Sequence, residues 1–145
     1  MQWLEEDFEE SCDFRLFGLT SHVGGHRLSW EMNRLLGWSL AFFTELQPDE
    51  HAGLKRFVVH RYASNDTGET VALVANRLPD AHLVKKLPKV DFLLQLGSDM
   101  PHLEEVVRAV RGMRLVTLLA ELDPVQTGAL EHLALLDLAQ NPFLD

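Results

Sequence analysis

The sequence predicts an α+β protein built on a single, mostly antiparallel sheet with two helices on one of its faces. Three observations lead to this class. Six short segments have the apolar alternation or density of strands, two longer stretches carry apolar residues at helical spacing, and each helical stretch falls between two strands. A length of 145 residues, 46% of them hydrophobic, suits one domain with a sizeable core.

Phe14 to Thr20 opens the pattern as a strand that is apolar on both faces, as a central strand is. Ser21 is placed to cap a helix running to about Leu36, with Leu28, Met32, Leu35 and Leu36 on its buried stripe and Gly37 at its end. Leu40 to Leu46 reads as the second strand, followed by a polar loop containing Pro48, Asp49 and Gly53. Phe57–Tyr62 and Thr70–Ala75 read as a hairpin, because the Ser64-Asn65-Asp66-Thr67-Gly68 segment between them is rich in residues that tolerate turn geometry.

Val90 to Leu96 gives the clearest strand, with Val90, Phe92, Leu94 and Leu96 on one side and Asp91, Leu93 and Gln95 on the other. Asp99 is placed to cap the second helix and Pro101 suits its first turn. Glu104 and Glu105 complement its positive end, Leu103, Val106, Val107 and Val110 form its stripe, and Gly112 stops it. Arg114 to Leu122 reads as the last strand, with Val116, Leu118, Ala120 and Leu122 inward, and a short helical tail is expected from Ala129 to Leu138. The order is therefore β-α-β-β-β-β-α-β, an expanded ferredoxin-like arrangement. Residues 1–12 form an acidic arm, 13–138 the α+β domain and 139–145 a tail.

Composition narrows the function classes. The net charge is -9, from 13 basic and 22 acidic residues, which disfavours direct binding of nucleic acid or an anionic membrane surface. The cluster Lys85-Lys86-Leu87-Pro88-Lys89 is the exception in an acidic chain. Cys12 is the only cysteine, so no internal disulfide forms, which fits a reducing compartment. No apolar run approaches the roughly 18 residues that span a bilayer. The acidic start lacks the features of a signal peptide, and a cytoplasmic chain is expected.

Several segments resemble the IPExxxVDY family of uncharacterised bacterial proteins. The central stretch is Val84-Lys85-Lys86-Leu87-Pro88-Lys89-Val90-Asp91-Phe92, in which Val90-Asp91-Phe92 is similar to the VDY end and Val84 stands for the Ile, whereas Lys85 and Lys86 depart from the Pro-Glu pair. His26 to Asn33, the hairpin ending at Asn76, and the last strand followed by Asp123-Pro124 are also similar. The resemblance spans about residues 13 to 138 and implies no assigned activity.

Three polar residues stand out as candidate binding residues: Asp91, Asn33 and Asn76. Asp91 either meets a ligand or caps backbone N–H groups of a neighbouring loop, and the second is the commoner use of such an Asp. Asn33 and Asn76, at the ends of a helix and a hairpin, either hold a ligand amide or satisfy backbone groups where an element stops. His22 and His26, four apart, share a helix face and with Cys12 or Glu31 have the donor types for zinc, but no CxxC or HExxH accompanies them and no metal site is assigned. Trp30 and Trp38 flank the first helix and serve either core packing or an aromatic surface. No serine lies in GxSxG, the glycines at 24 and 25 form no phosphate loop, and no catalytic residue or cofactor is assigned.

The leading expectation is a non-catalytic protein-interaction or adaptor domain that self-associates as a homodimer or binds a protein partner. It rests on a sheet face, opposite the helices, that Phe17, Leu19, Val58, Leu93 and Leu119 would make apolar. The alternative is a small-ligand-binding regulatory domain with its ligand near Asp91 and the loops at the helix starts. An enzyme of unrecognised type is third.

Overall fold

A computed structural model describes residues 14–47 and 55–129. The acidic arm, Cys12, the Pro48–Gly53 loop, the tail and all of the expected last helix beyond Ala129 lie outside them. The elements are β1 (Phe14–Thr20), α1 (Gly25–Leu36), β2 (Ala41–Leu46), β3 (Phe57–Ala63), β4 (Thr70–Ala75), β5 (Arg77–Leu78), β6 (Ala81–His82), β7 (Phe92–Gly97), α2 (Leu103–Arg111) and β8 (Leu118–Leu122).

Six strands form one sheet in the order β2-β3-β4-β7-β1-β8, and β5 pairs with β6 in a small separate hairpin. Every neighbouring pair in the sheet is antiparallel. The class and the succession of the six sheet strands and two helices match the sequence expectation; the β5–β6 hairpin was not expected, and the strand order departs from the ferredoxin-like one. In a split βαβ unit one strand lies between the two that the helix joins. The α2 crossover keeps that rule, with β1 between β7 and β8. The α1 crossover instead spans β7, β4 and β3, because β2, β3, β4 and β7 run as an unbroken meander.

Both helices lie on one face. Leu28 and Met32 of α1 and Val107 and Val110 of α2 join one buried cluster with Phe17, Leu19, Val71, Leu73, Phe92, Leu94 and Leu96. Alternation explains the list, since these strand residues share one parity within each strand. The opposite parity, Leu16, Val59, Ala72, Val74 and Leu93, forms a second cluster with Leu83 and Val84.

The apolar face expected to be free is thus assembled differently. Phe17, Leu19 and Leu119 belong to the helix-covered face. Leu93 lies on the opposite face and is fully buried there, in a cluster to which the chain between β4 and β7 contributes Leu83 and Val84 and against which it packs Leu78, Ala81, Leu87 and Val90. Pairing Leu19 with Leu119 also reverses the expected parity of β8: Leu119 is buried and Leu118 is 60% exposed. The strand is shorter than expected, because residues 113–116 turn, with the Val116 N–H bonded to the Met113 carbonyl.

Both helices start later than their caps suggested. The Ser21 hydroxyl accepts the Val23 N–H in a local turn, and α1 begins at Gly25 behind Gly24 with no side-chain cap. Asp99 caps nothing at α2; the turn after β7 ends at His102 in the left-handed region (φ 56°), and the helix follows it. Gly37 closes α1 at φ 71°, where a side chain would be strained, and its N–H bonds to the Asn33 carbonyl. Leu35, expected in the stripe, is 50% exposed.

Candidate functional site

The antiparallel pairing of β1 with β7 fixes where the loops fall. The C-terminal end of β1 lies beside the N-terminal end of β7, with Leu19 opposite Phe92. Hence α1 starts at one end of the sheet, and α2, which follows the far end of β7, starts at the other. The loops at the two helix starts do not converge. The end that bears the α1 start also holds Ser21, Asn76, Arg77 and Asp91.

Asn76 and Asp91 meet there. The Asn76 N–H donates to the Asp91 carbonyl at 2.9 Å. Asp91 lies just before β7, and its Oδ2 accepts the Ser21 N–H at 2.9 Å while Oδ1 stands 3.5 Å from Arg77 Nη1. Asp91 therefore ties the β1–α1 turn to the entry of β7. The Asn76 side chain is completely buried, and every one of its polar atoms is engaged. Its Nδ2 donates to the carbonyls of Leu87 at 3.0 Å and Val90 at 2.8 Å, and its Oδ1 accepts the Val84 N–H at 2.8 Å. Its own carbonyl accepts the Leu83 N–H.

Asn33 does similar work elsewhere. It lies near the C-terminal end of α1 and brackets the backbone of Leu40, donating from Nδ2 to the Leu40 carbonyl at 3.0 Å and accepting the Leu40 N–H at Oδ1 at 2.7 Å. It sets the entry into β2 and shares no bond with Asn76 or Asp91. The three candidate binding residues thus spend their polar atoms on the chain itself.

What Asn76 holds is a displayed cationic loop. Between β4 and β7 the buried side chains Leu83 and Val84 anchor the chain, and Lys85, Lys86 and Lys89 between the anchors and Asp91 are exposed. Among the described residues none of the three ammonium groups has an ion-pair partner, whereas Lys55, Arg77 and Arg15 all do. Every one of the 13 Lys and Arg residues lies in the described ranges, and half of the 22 Asp and Glu residues lie outside them. The net charge of -9 is therefore not the charge of the sheet and its helices, which are close to balance.

Other features fall into place around this loop. A shallow concavity of about 310 Å³ lies along β1 and β8, between Phe14, Arg15, Leu16 and the Glu121–Val125 segment. Its one cation is already matched: Arg15 grips Glu121 with two bonds of 2.9 and 2.8 Å and also meets Glu104 of α2. That grip holds the Glu121 carboxyl below its usual range. Trp38 packs in the core and donates from Nε1 to Glu69, whereas Trp30 is 59% exposed on α1. His22 precedes α1 and does not share a helix face with His26, because the helix begins three residues after it. Among the described residues no group of three His, Cys, Asp or Glu side chains gathers, and no helix is long and apolar enough to cross a membrane.

Sequence reasoning missed His60. It is 8% exposed on β3, beneath the first turn of α1. Burial, with a smaller push from His26, moves its pKa below the ordinary 6.5. The signal was present in the alternation of β3: with Val59 on the loop-covered face, His60 must lie on the helix face. Comparison with known proteins adds no further evidence, for no family model, curated protein or solved structure matches the chain.

Proposed function

We propose that the chain is a non-catalytic protein-interaction or adaptor domain that binds an acidic surface, on a partner or on a second copy, through the loop of Lys85, Lys86 and Lys89. The observation that carries this reading is the clamp: a buried amide with all its bonds made fixes the backbone from which three ammonium groups project, none of them ion-paired among the described residues. A loop ordered beforehand loses little entropy when it binds, and like charges on it steer an oppositely charged partner. The occupation of Asp91, Asn33 and Asn76 by backbone groups supports a role in folding for them and none in chemistry. In this reading the bacterial IPExxxVDY kinship and the cytoplasmic setting stay as proposed; Val84 and Val90-Asp91-Phe92 fold the loop, and Lys85 and Lys86 are what it presents.

The test is affinity capture with the full chain, followed by size and light scattering of the eluate. A stoichiometric protein partner or homodimer should be held at physiological salt, released at high salt, and lost in the Lys85→Glu, Lys86→Glu, Lys89→Glu triple variant. Retention that ignores both salt and the triple variant, or capture of nucleic acid in place of protein, would sink the proposal. A second reading, a small-ligand-binding regulatory domain, is favoured by one specific observation: His60, buried beside the α1 start, has no side-chain hydrogen bond among the described residues.

A further inference from the structure

The two edges of the sheet are finished differently. At β2 the ladder is interrupted by a bulge between Phe42 and Thr44, and Glu45 is paired with Arg56. Bulges and charges of this kind blunt an edge against further pairing. At β8 neither device is present. Leu118–Leu122 pairs with β1 in unbroken register and contains no proline or lysine, and its one charge, Glu121, is held by Arg15.

The backbone groups that this edge offers can be named. The Leu19 carbonyl accepts the Asp91 N–H and the Thr20 carbonyl accepts the Thr117 N–H, so Leu19 turns its backbone to β7 and Thr20 turns its own to β8. Alternation carries this along the strand. Leu118, Ala120 and Leu122, opposite Thr20, Gly18 and Leu16, bond inward, and the N–H and carbonyl groups of Leu119 and Glu121 point away from the sheet.

The surroundings of the edge are apolar and cationic. Leu118 and Ala120 are exposed on the loop-covered face, Val125 is exposed just beyond the strand, and the shallow concavity along β1 and β8 adjoins the Glu121 end. On the helix-covered side Arg111 reaches round to the edge, with Nη2 3.5 Å from the Leu119 carbonyl, and Arg108 lies one turn before it. On the loop-covered side Val90 lies over Gly18, where a Cβ would stand 3.1 Å from it, and Gly18 is the partner of Ala120; exposed Lys89 adjoins Val90. Among the described residues Arg108, Arg111 and Lys89 have no ion-pair partner, whereas the carboxylates nearby are engaged: Glu104 and Glu121 with Arg15, and Asp123 with the N–H groups of Val125 and Gln126.

We infer that β8 accepts an extended acidic segment of a partner protein as a further antiparallel strand of the sheet. Leu119 and Glu121 supply the main-chain bonds. Directly opposed side chains share a face in such a pair, so residues of the segment that bond to Leu119 and Glu121 stand beside Arg108 and Arg111, where carboxylates fit. The alternate residues stand beside Leu118 and Ala120, where apolar side chains fit. A second copy of β8 is the wrong occupant, because it would set one cationic rim against another. The inference rests on the lysine-loop reading above and gives its acidic partner a form.

The probe is a short capped peptide of alternating glutamate and valine, titrated into the full chain at physiological salt and followed by amide NMR and hydrogen exchange. Saturable shifts and slowed exchange are expected at Leu119 and Glu121. N-methylation of the glutamates, whose N–H groups face β8 in this pairing, should weaken binding about tenfold or more, and N-methylation of the valines should leave it unchanged. The double variant Arg108→Glu, Arg111→Glu, altered only at exposed side chains, should weaken it about tenfold. Equal binding of a lysine–valine peptide, or binding that tolerates both methylated peptides, overturns the proposal. If such tolerant binding shifts only residues 85–89, the strand fails and the lysine-loop reading stands. A free chain that is dimeric by light scattering, with Leu119 and Glu121 already protected, assigns the edge to a second copy and overturns the proposal as well. Absence of saturable binding overturns the strand, while the lysine-loop reading is decided separately by capture with its triple variant, whose substitutions lie outside β8.

Discussion

The two faces of the sheet are closed by different kinds of chain. On one face α1 and α2 bring Leu28, Met32, Val107 and Val110 to the strands, and each helix satisfies its own interior backbone as it does so. On the other face the cover is an irregular excursion between β4 and β7, which buries Leu83 and Val84 as thoroughly as a helix would. Irregular chain pressed against a core has peptide groups that water no longer reaches, and each must find a partner. Here Asn76 supplies it for Val84, Leu87 and Val90. The comparison teaches that apolar burial is sufficient for a helical cover, whereas a loop cover also needs a buried polar side chain at its centre.

The sharpest way to break the comparison is Asn76→Ala. It strands one N–H and two carbonyls against the core, and at about 1–3 kcal/mol for each unsatisfied group a loss of about 4 kcal/mol is expected. Denaturant unfolding measures the loss, and hydrogen exchange at residues 83–90 should rise above that in the helices. On the helical face, Leu28→Ala should cost about 3 kcal/mol through lost burial and a residual cavity, with no local rise in exchange at the 83–90 loop. If both variants opened the same amides, the two covers would not be independent and the contrast would fail.

Asn33→Ala probes a smaller version of the Asn76 device. It removes two bonds to the backbone of one residue, Leu40, in a part-buried place where water can replace them, so about 1–2 kcal/mol is expected. Exchange at the start of β2 should report it. The smallest effect is proton-linked and belongs to the helical face. Because burial lowers the His60 pKa below 6.5, the unfolded chain takes up the proton first as pH falls. The contribution is present above about pH 6.5 and declines below it, until the folded ring is protonated as well. His60→Gln should flatten that part of the stability–pH curve; an unchanged slope below pH 6.5 would remove His60 from the account.

Much of the fold was legible because local physics determines it. Apolar density located β1, the turn-rich Ser64–Gly68 segment marked the β3–β4 hairpin, alternation located β7, Gly37 ended α1 at a left-handed residue, and the stripe of α2 was read correctly at Val107 and Val110. Helix starts were less legible, because Ser21 and Asp99 have the right chemistry for caps but are used, or passed over, by turns whose shape depends on distant strands. The parity of β8 was unreadable for a related reason: in Leu115 to Leu122 apolar residues occupy both parities, and only the pairing of Leu19 with Leu119 chooses between them.

The candidate site divides in the same way. Asp91 and Asn76 could be picked out as polar residues at the ends of apolar segments, and bonding to the backbone was the commoner fate for each. That Asn76 reaches Val84, Leu87 and Val90, and that it meets Asp91, depends on the path of the chain between β4 and β7. The sequence by itself determined the α+β class, the element order and which side chains are apolar enough to be buried, since these follow from periodicity and composition. Only the tertiary structure decided the strand order, the cover of the second face, the display of the lysines and the placement of His60 under α1. Those depend on contacts between residues far apart in the chain, and side-chain periodicity carries no record of which strand will lie beside which.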